Sequence, residues 1–181
     1  MPANPTKHNI ERTGMISVEI KDAALRDAAA KGMDEFLQVF LDALHEAIGG
    51  ELSGENMVQL SSDQITLLAY EALRNDLMNG GFIQLIHNGW GAFIFHNPFD
   101  KAVRAWGIPE LCALIRKAHK LYKKHRKDLE QDCTDEEFMA LYEQYPQFDD
   151  FDDAFVENEE AFTAAVARYV DEHIEHFAQI V

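Results

Sequence analysis

Basic residues are almost missing from the last third of this chain. Between Asp128 and Val181 there are 17 acidic residues and one arginine, Arg168, whereas the stretch up to Lys127 carries 15 of each sign. The whole net charge of −16 therefore resides after Lys127. Carboxylates repel phosphate, so direct nucleic-acid binding is excluded as a role for that region. A basic protein surface is its natural counterpart, through an attraction that speeds encounter and fades with salt. Cysteine is scarce as well: Cys112 and Cys133 are the only two, both in helical or helix-edge sequence. That excludes a disulfide framework and suits reduced thiols. No apolar run approaches the roughly 20 residues that span a bilayer, and no basic-then-apolar segment opens the chain. The expected location is cytoplasmic, with no membrane partner.

Signatures of catalysis are absent too. There is no P-loop, dinucleotide fingerprint or nucleophile elbow. There is also no HExxH, no Cys-x-x-Cys and no Glu-x-x-His pair repeated on two helices. His173 and His176 share a helix face with three-residue spacing, but as residues near a charged terminus and not as metal ligands. The chain reads as a non-enzyme with no cofactor and no metal.

What is present is helical amphipathicity. With 181 residues and 47% hydrophobic content, one domain with a sizeable core is expected over residues 15–181, behind a flexible tail over 1–14. Ile16 to Lys31 reads as a first helix, although Val18 and Ile20 also fit a short strand. Phe36, Leu37, Phe40, Leu41 and Leu44 mark a helix from Met33 to Ile48. Ser61 with Gln64 and Thr134 with Glu137 are capping-box patterns. They open helices over Asp63 to Met78 and Asp135 to Tyr145. Pro109 starts a helix reaching about Lys127, and FDDFDDAF opens a last helical region with a break expected near Asn158. The fold class is all-α: a single compact multi-helix domain with a short irregular or strand segment at its N-terminal side.

The densest apolar stretch is LMNGGFIQLIHNGWGAFIFHNP, from Leu77 to Pro98. Asn79, Gly80 and Gly81 stop one helix, since Asn and Gly reach left-handed backbone at low cost. Phe82, Leu85 and Ile86 restart another, Asn88-Gly89 ends it, and Gly91 offers a further hinge. Trp90, Phe93 and Phe95 follow as an aromatic plug, each worth about 1.5–3 kcal/mol when buried. Asn97 is the expected N-cap of the next helix, with Pro98 at its first position, and Gly107 closes that helix.

The order NGGF, HNGWG, then Trp106-Gly107-Ile108-Pro109-Glu110-Leu111, FDDAF and Tyr169-Val170-Asp171-Glu172-His173 resembles a bacterial family of all-helical domains whose best-described member is a DNA-mimic protein. The similarity runs from about Leu60 to Val181. It implies the helical fold, with Asn79, Gly80, Gly81, Phe82, Trp90, Trp106 and Gly107 as structural motif positions. It also implies a homodimer and a basic, DNA-binding protein such as a transcription regulator as partner.

The residues support the same direction. If Phe148 to Glu157 is helical, Phe148, Phe151 and Phe155 face inward while Asp149, Asp150, Asp152, Asp153 and Glu157 take the opposite arc. The pattern continues with Glu159, Glu160, Asp171 and Glu172 off the apolar stripe. A helix rises about 1.5 Å per residue and duplex DNA carries one charge per about 1.7 Å, so acidic helices side by side approach DNA's charge density. The basic run from Arg116 to Lys127 is expected to neutralise the acidic segment, within the molecule or across a dimer. Two other functions remain open at this point: an immunity-type inhibitor of a basic toxin, and a metal-dependent or carboxylate hydrolase.

Overall fold

Two capping boxes set the helical frame. In each, the Ser61 or Thr134 hydroxyl accepts a backbone N–H three residues on, while the Gln64 or Glu137 side chain accepts the N–H of the cap residue in return. The structure, a computed structural model, describes residues 15–181; the tail expected over 1–14 lies outside the described residues. Among the described residues eight α-helices follow one another: α1 (Asp22–Ala29), α2 (Met33–Ile48), α3 (Ser62–His87), α4 (Gly91–His96), α5 (Phe99–Ala105), α6 (Pro109–Leu129), α7 (Asp135–Gln144) and α8 (Asp149–Glu172). Two short strands, β1 (Glu19–Ile20) and β2 (Gln179–Ile180), pair in parallel and tie the two ends of the described chain together. So the first segment divides: Val18 and Ile20 belong to the strand side, and α1 begins only at Asp22.

Helix α3 lies at the centre, packed against α2, α4, α5, α6 and α8. Helix α8 lies along it and also touches α2 and α6. Phe40, Phe82, Phe148, Phe155 and Phe177 are all fully buried between these helices. Phe82 stacks on both Phe95 and Phe148, with ring centroids 6.3 and 6.2 Å apart. The hub expected from the sequence is therefore the contact point of α3, α4 and the start of α8.

Three local expectations are corrected. Gly91 is not a hinge but the first residue of α4, where a Cβ would come within 3.1 Å of the Tyr122 ring. Asn97 does not cap α5; its amide donates back to the Phe93 carbonyl of α4 at 2.9 Å, and Pro98 stands at the cap position. Helix α8 does not break at Asn158, whose amide donates to the Ala154 carbonyl along the same helix. Both asparagine amides bond a carbonyl four residues back and so extend the helix behind them, while the missing side chain of Gly91 lets α4 pack against Tyr122.

Candidate functional site

The break inside α3 determines what one acidic residue of α8 does. Gly81 has φ 76° and ψ −167°, backbone essentially restricted to glycine. The kink interrupts the helix ladder and leaves a carbonyl and an N–H without their usual partners. Both are satisfied from outside. The Tyr142 hydroxyl of α7 donates to the Gly80 carbonyl, and the Asp152 carboxylate of α8 accepts the Phe82 N–H, both at 2.8 Å. Asp152 lies so close over Gly81 that a Cβ there would sit 2.2 Å from its Oδ2. The NGGF motif thus needs Gly81 for two reasons, positive φ and this close approach. Asn79 and Gly80 stay helical just before the kink, and Phe82 just after it is fully buried.

Asp152 consequently faces inward, against the expectation that it lines the outer arc. At about 100° per residue it lies only about 70° around α8 from the phenylalanine stripe, on the flank of the core. Burial, together with Asp149 and Asp153 beside it, pushes its carboxyl up to about 7, against the pull of the Phe82 N–H. Glu159 is engaged inside as well. It accepts from Arg74 Nε at 2.6 Å and from the Thr163 hydroxyl at 3.0 Å. Tyr70, 2.7 Å from that hydroxyl, is its donor, since the hydroxyl proton is already given to Glu159. Arg74 also reaches Asp34 on α2 at 2.9 Å, so this network pins α2, α3 and α8 together.

The remaining seven residues of the expected surface are exposed: Asp149, Asp150, Asp153, Glu157, Glu160, Asp171 and Glu172. None of them makes an ion pair among the described residues. Their side chains project from a helix whose other side is anchored by Phe148, Phe155, Phe162, Val166 and Val170, all buried. The first five follow one another at intervals of one to four residues from Asp149 to Glu160, while Asp171 and Glu172 sit at the far end beyond Arg168. The arrangement is a rigid row of unneutralised carboxylates carried on the core. It can offer negative charge to a cationic surface without ordering a flexible segment first.

The other motif positions are structural. Trp106 is buried and stacks on Tyr169 with centroids 4.4 Å apart; its indole N–H donates to Asp63 at 3.1 Å. Gly107 follows with φ 85° at the end of α5. Trp90 is half-buried and meets Phe93 edge-on at 5.6 Å. Asp63 also accepts from the Tyr169 hydroxyl and lies 2.7 Å from His176 Nδ1, while His173 Nδ1 donates to the Tyr169 carbonyl at 2.8 Å. Both histidines therefore belong to the packing of this corner. Among the described residues no group of three or more His, Cys, Asp or Glu is arranged to hold a metal ion, and no helix is long and apolar enough to cross a membrane.

Sequence reasoning missed Tyr142 and Arg74, which hold the hub and the α8 seam. Their partners, Gly80 and Glu159, lie 62 and 85 residues away along the chain, and no local pattern announces such pairs.

The model of a family described as DMP19-like protein matches residues 58–173. The chain is 35% identical over 127 residues to the DNA mimic protein DMP19 of Neisseria meningitidis serogroup B, a match covering 70% of this chain and 77% of that protein. The matched region begins ahead of α3 and ends just after α8, so it contains the kink, its two outside partners and the whole row of exposed carboxylates.

Proposed function

We propose, because this chain belongs to the DMP19-like protein family, that its exposed α8 carboxylates act as a DNA mimic. On this reading they occupy the DNA-binding surface of a basic protein such as a transcription regulator, without catalysis. The observation that carries the reading is the unpaired row Asp149, Asp150, Asp153, Glu157 and Glu160 on the outer arc of α8. Along the helix the five charges average about one per 4 Å of rise, close to the about 3.4 Å between phosphates along one DNA strand. A DNA-binding surface evolved for phosphates meets the same sign at a similar density. A merely solubilising surface normally mixes signs, and this arc carries one.

Asp152 and Glu159 have different tasks in this reading. They hold α8 in place, one at the kink of α3 and one through Arg74, so that the outer carboxylates keep a fixed spacing. The test is competition. The basic protein captured by the parent chain is mixed with its own DNA, and increasing amounts of this protein are added. The parent displaces the DNA. A variant with the five outer carboxylates changed to Asn or Gln does not. Equal displacement by both proteins would reject the α8 face as the mimic.

A further inference from the structure

The seam between α3 and α8 has a middle rung that neither the hub nor the carboxylate row uses. Three contacts fix its register: Asp152 at the Phe82 N–H, Glu159 on Arg74, and Thr163 beside Tyr70. Numbers fall along α3 as they rise along α8, so the two helices run antiparallel. Arg74, Met78 and Gly81 therefore share the α3 face that meets α8, and Asp152, Val156 and Glu159 share the α8 face that meets α3. Met78 and Val156 stand between the Gly81–Asp152 and Arg74–Glu159 rungs. Unlike those, they are left open to solvent, 48% and 49% exposed. Beside them lies an open hollow of about 450 Å³ lined by Arg74, Asn75, Met78, Asn79 and Glu159. Asn75 and Asn79 are exposed as well.

A single exposed apolar side chain needs no explanation. Here two, from different helices, stand opposite each other at the border of the charged row. Around α8, Val156 lies within about 60° of Asp149, Asp153 and Glu160. We infer that this seam receives a groove-reading helix of the basic partner, with its cations on the α8 carboxylates and an apolar side chain on Met78 and Val156. The partner is the one in the DNA-mimic reading, on which this assignment rests; what is added is the element it inserts.

The match is with what such a helix meets in DNA. The floor of the major groove offers thymine methyl groups and base edges that donate and accept hydrogen bonds, between walls of phosphate. Met78 and Val156 supply the apolar contact, the Asn75 and Asn79 amides carry donors and acceptors, and the carboxylates stand in for phosphates. Exposed charges chiefly speed encounter, whereas a desolvated apolar contact inside a polar rim slows departure. The rungs on either side hold the seam in place before binding, so little ordering cost opposes it.

The probes are two helical peptides of about 18 residues, roughly five turns, with equal lysine content. In one, two positions a turn apart in the middle of the lysine face are leucine; in the other they are alanine. Association and dissociation rates are measured on the full chain at about 50 mM and about 300 mM salt. The parent is expected to bind the leucine peptide on the order of tenfold more tightly, through slower dissociation, and to keep that preference at high salt. Met78→Gln with Val156→Gln should abolish the preference, yet bind the alanine peptide as the parent does, with the same salt slope. Both sites are exposed and glutamine is a good helix former, so the melting temperature should hold. Val156→Thr alone keeps the side-chain shape and should lose part of the preference. Val58→Gln, at a residue 73% exposed ahead of α3, is the control and should keep it. A parent that shows no preference or binds neither peptide overturns the assignment. So does retention of the full preference by both seam variants, or an equal loss in the control. The charge reading is judged on the alanine peptide instead: it fails if neutralising Asp149, Asp150, Asp153, Glu157 and Glu160 leaves that peptide's affinity and salt slope unchanged.

Discussion

The carboxylates of α8 fall into two populations on one helix. Asp152 and Glu159 reach inward, to the Phe82 N–H and to Arg74. Asp149, Asp150, Asp153, Glu157 and Glu160 reach outward and form no ion pair among the described residues. The residue types are the same, and so is the helix. A shift of about 60–180° around the axis decides between them. Inside, a carboxylate is retained because it satisfies a broken helix or a half-buried arginine. Outside, it has no internal purpose, and like charges three or four residues apart cost a few tenths of a kcal/mol per pair. Inner carboxylates should therefore govern stability, and outer ones recognition.

The largest expected effect comes from breaking the inner set at its seat. Gly81→Val forces an unsuitable backbone and drives a Cβ into Asp152, and it should cost about 3 kcal/mol or more. Chemical denaturation measures this. A variant that unfolds at the parent's denaturant midpoint would remove the kink from the account.

Next in size is Arg74→Met, which leaves Glu159 and Asp34 without their cation. The guanidinium is half-buried, so the expected loss, about 1–2 kcal/mol, lies between that of exposed and of buried pairs. Asp34, exposed on α2, contributes less, and Asp34→Asn should cost under half as much in the same melts.

Smaller, and diagnostic by its pH dependence, is Asp152→Asn. In the folded chain this carboxyl titrates near 7, far above its ordinary value of 3.8. Between those values the folded state holds a proton that the unfolded chain has released. Its contribution to stability is thus complete below about pH 4 and is lost as pH rises through 7. The asparagine variant keeps an acceptor for the Phe82 N–H and should lack this decline. Parallel stability curves for parent and variant from pH 4 to 8 would contradict the inward placement.

The smallest change in stability is expected from the outer set. Neutralising Asp149, Asp150, Asp153, Glu157 and Glu160 should alter the unfolding free energy by less than about 0.5 kcal/mol per site. Relief of repulsion offsets what Asp149 and Asp150 supply to the helix N-terminus. A large loss would make these residues structural and erase the distinction between the two populations.

Much of the frame was legible beforehand because its signals are local. Both capping boxes, the stripe of α2, the Gly81 stop and the aromatic burial of Phe82 and Trp106 depend on residues a few positions apart. The motif order led to the right family for the same reason. What stayed illegible depends on distant partners. Whether Asp152 faced out or in turned on Phe82, and Glu159 turned on Arg74. Asn97 and Asn158 carry sequence signals for a start and a break, yet each amide found a carbonyl four residues back. The basic run from Arg116 to Lys127 was expected to neutralise the acidic segment within the molecule or across a dimer; within the molecule, among the described residues, only its two arginines pair with carboxylates, Arg116 with Asp100 and Arg126 with Glu130.

The central claim, that the outer face of α8 recognises a basic partner through charge, is tested most directly by affinity as a function of salt. The basic protein captured with the parent is titrated with the parent and with a variant carrying Asp149→Asn, Asp150→Asn, Asp153→Asn, Glu157→Gln and Glu160→Gln. Asp22→Asn with Asp27→Asn on α1, both exposed, serves as the control. The account predicts weaker binding for the five-site variant, chiefly through slower association, and a flatter salt dependence, with the control unchanged. Equal affinities and equal salt slopes for parent and five-site variant would contradict it.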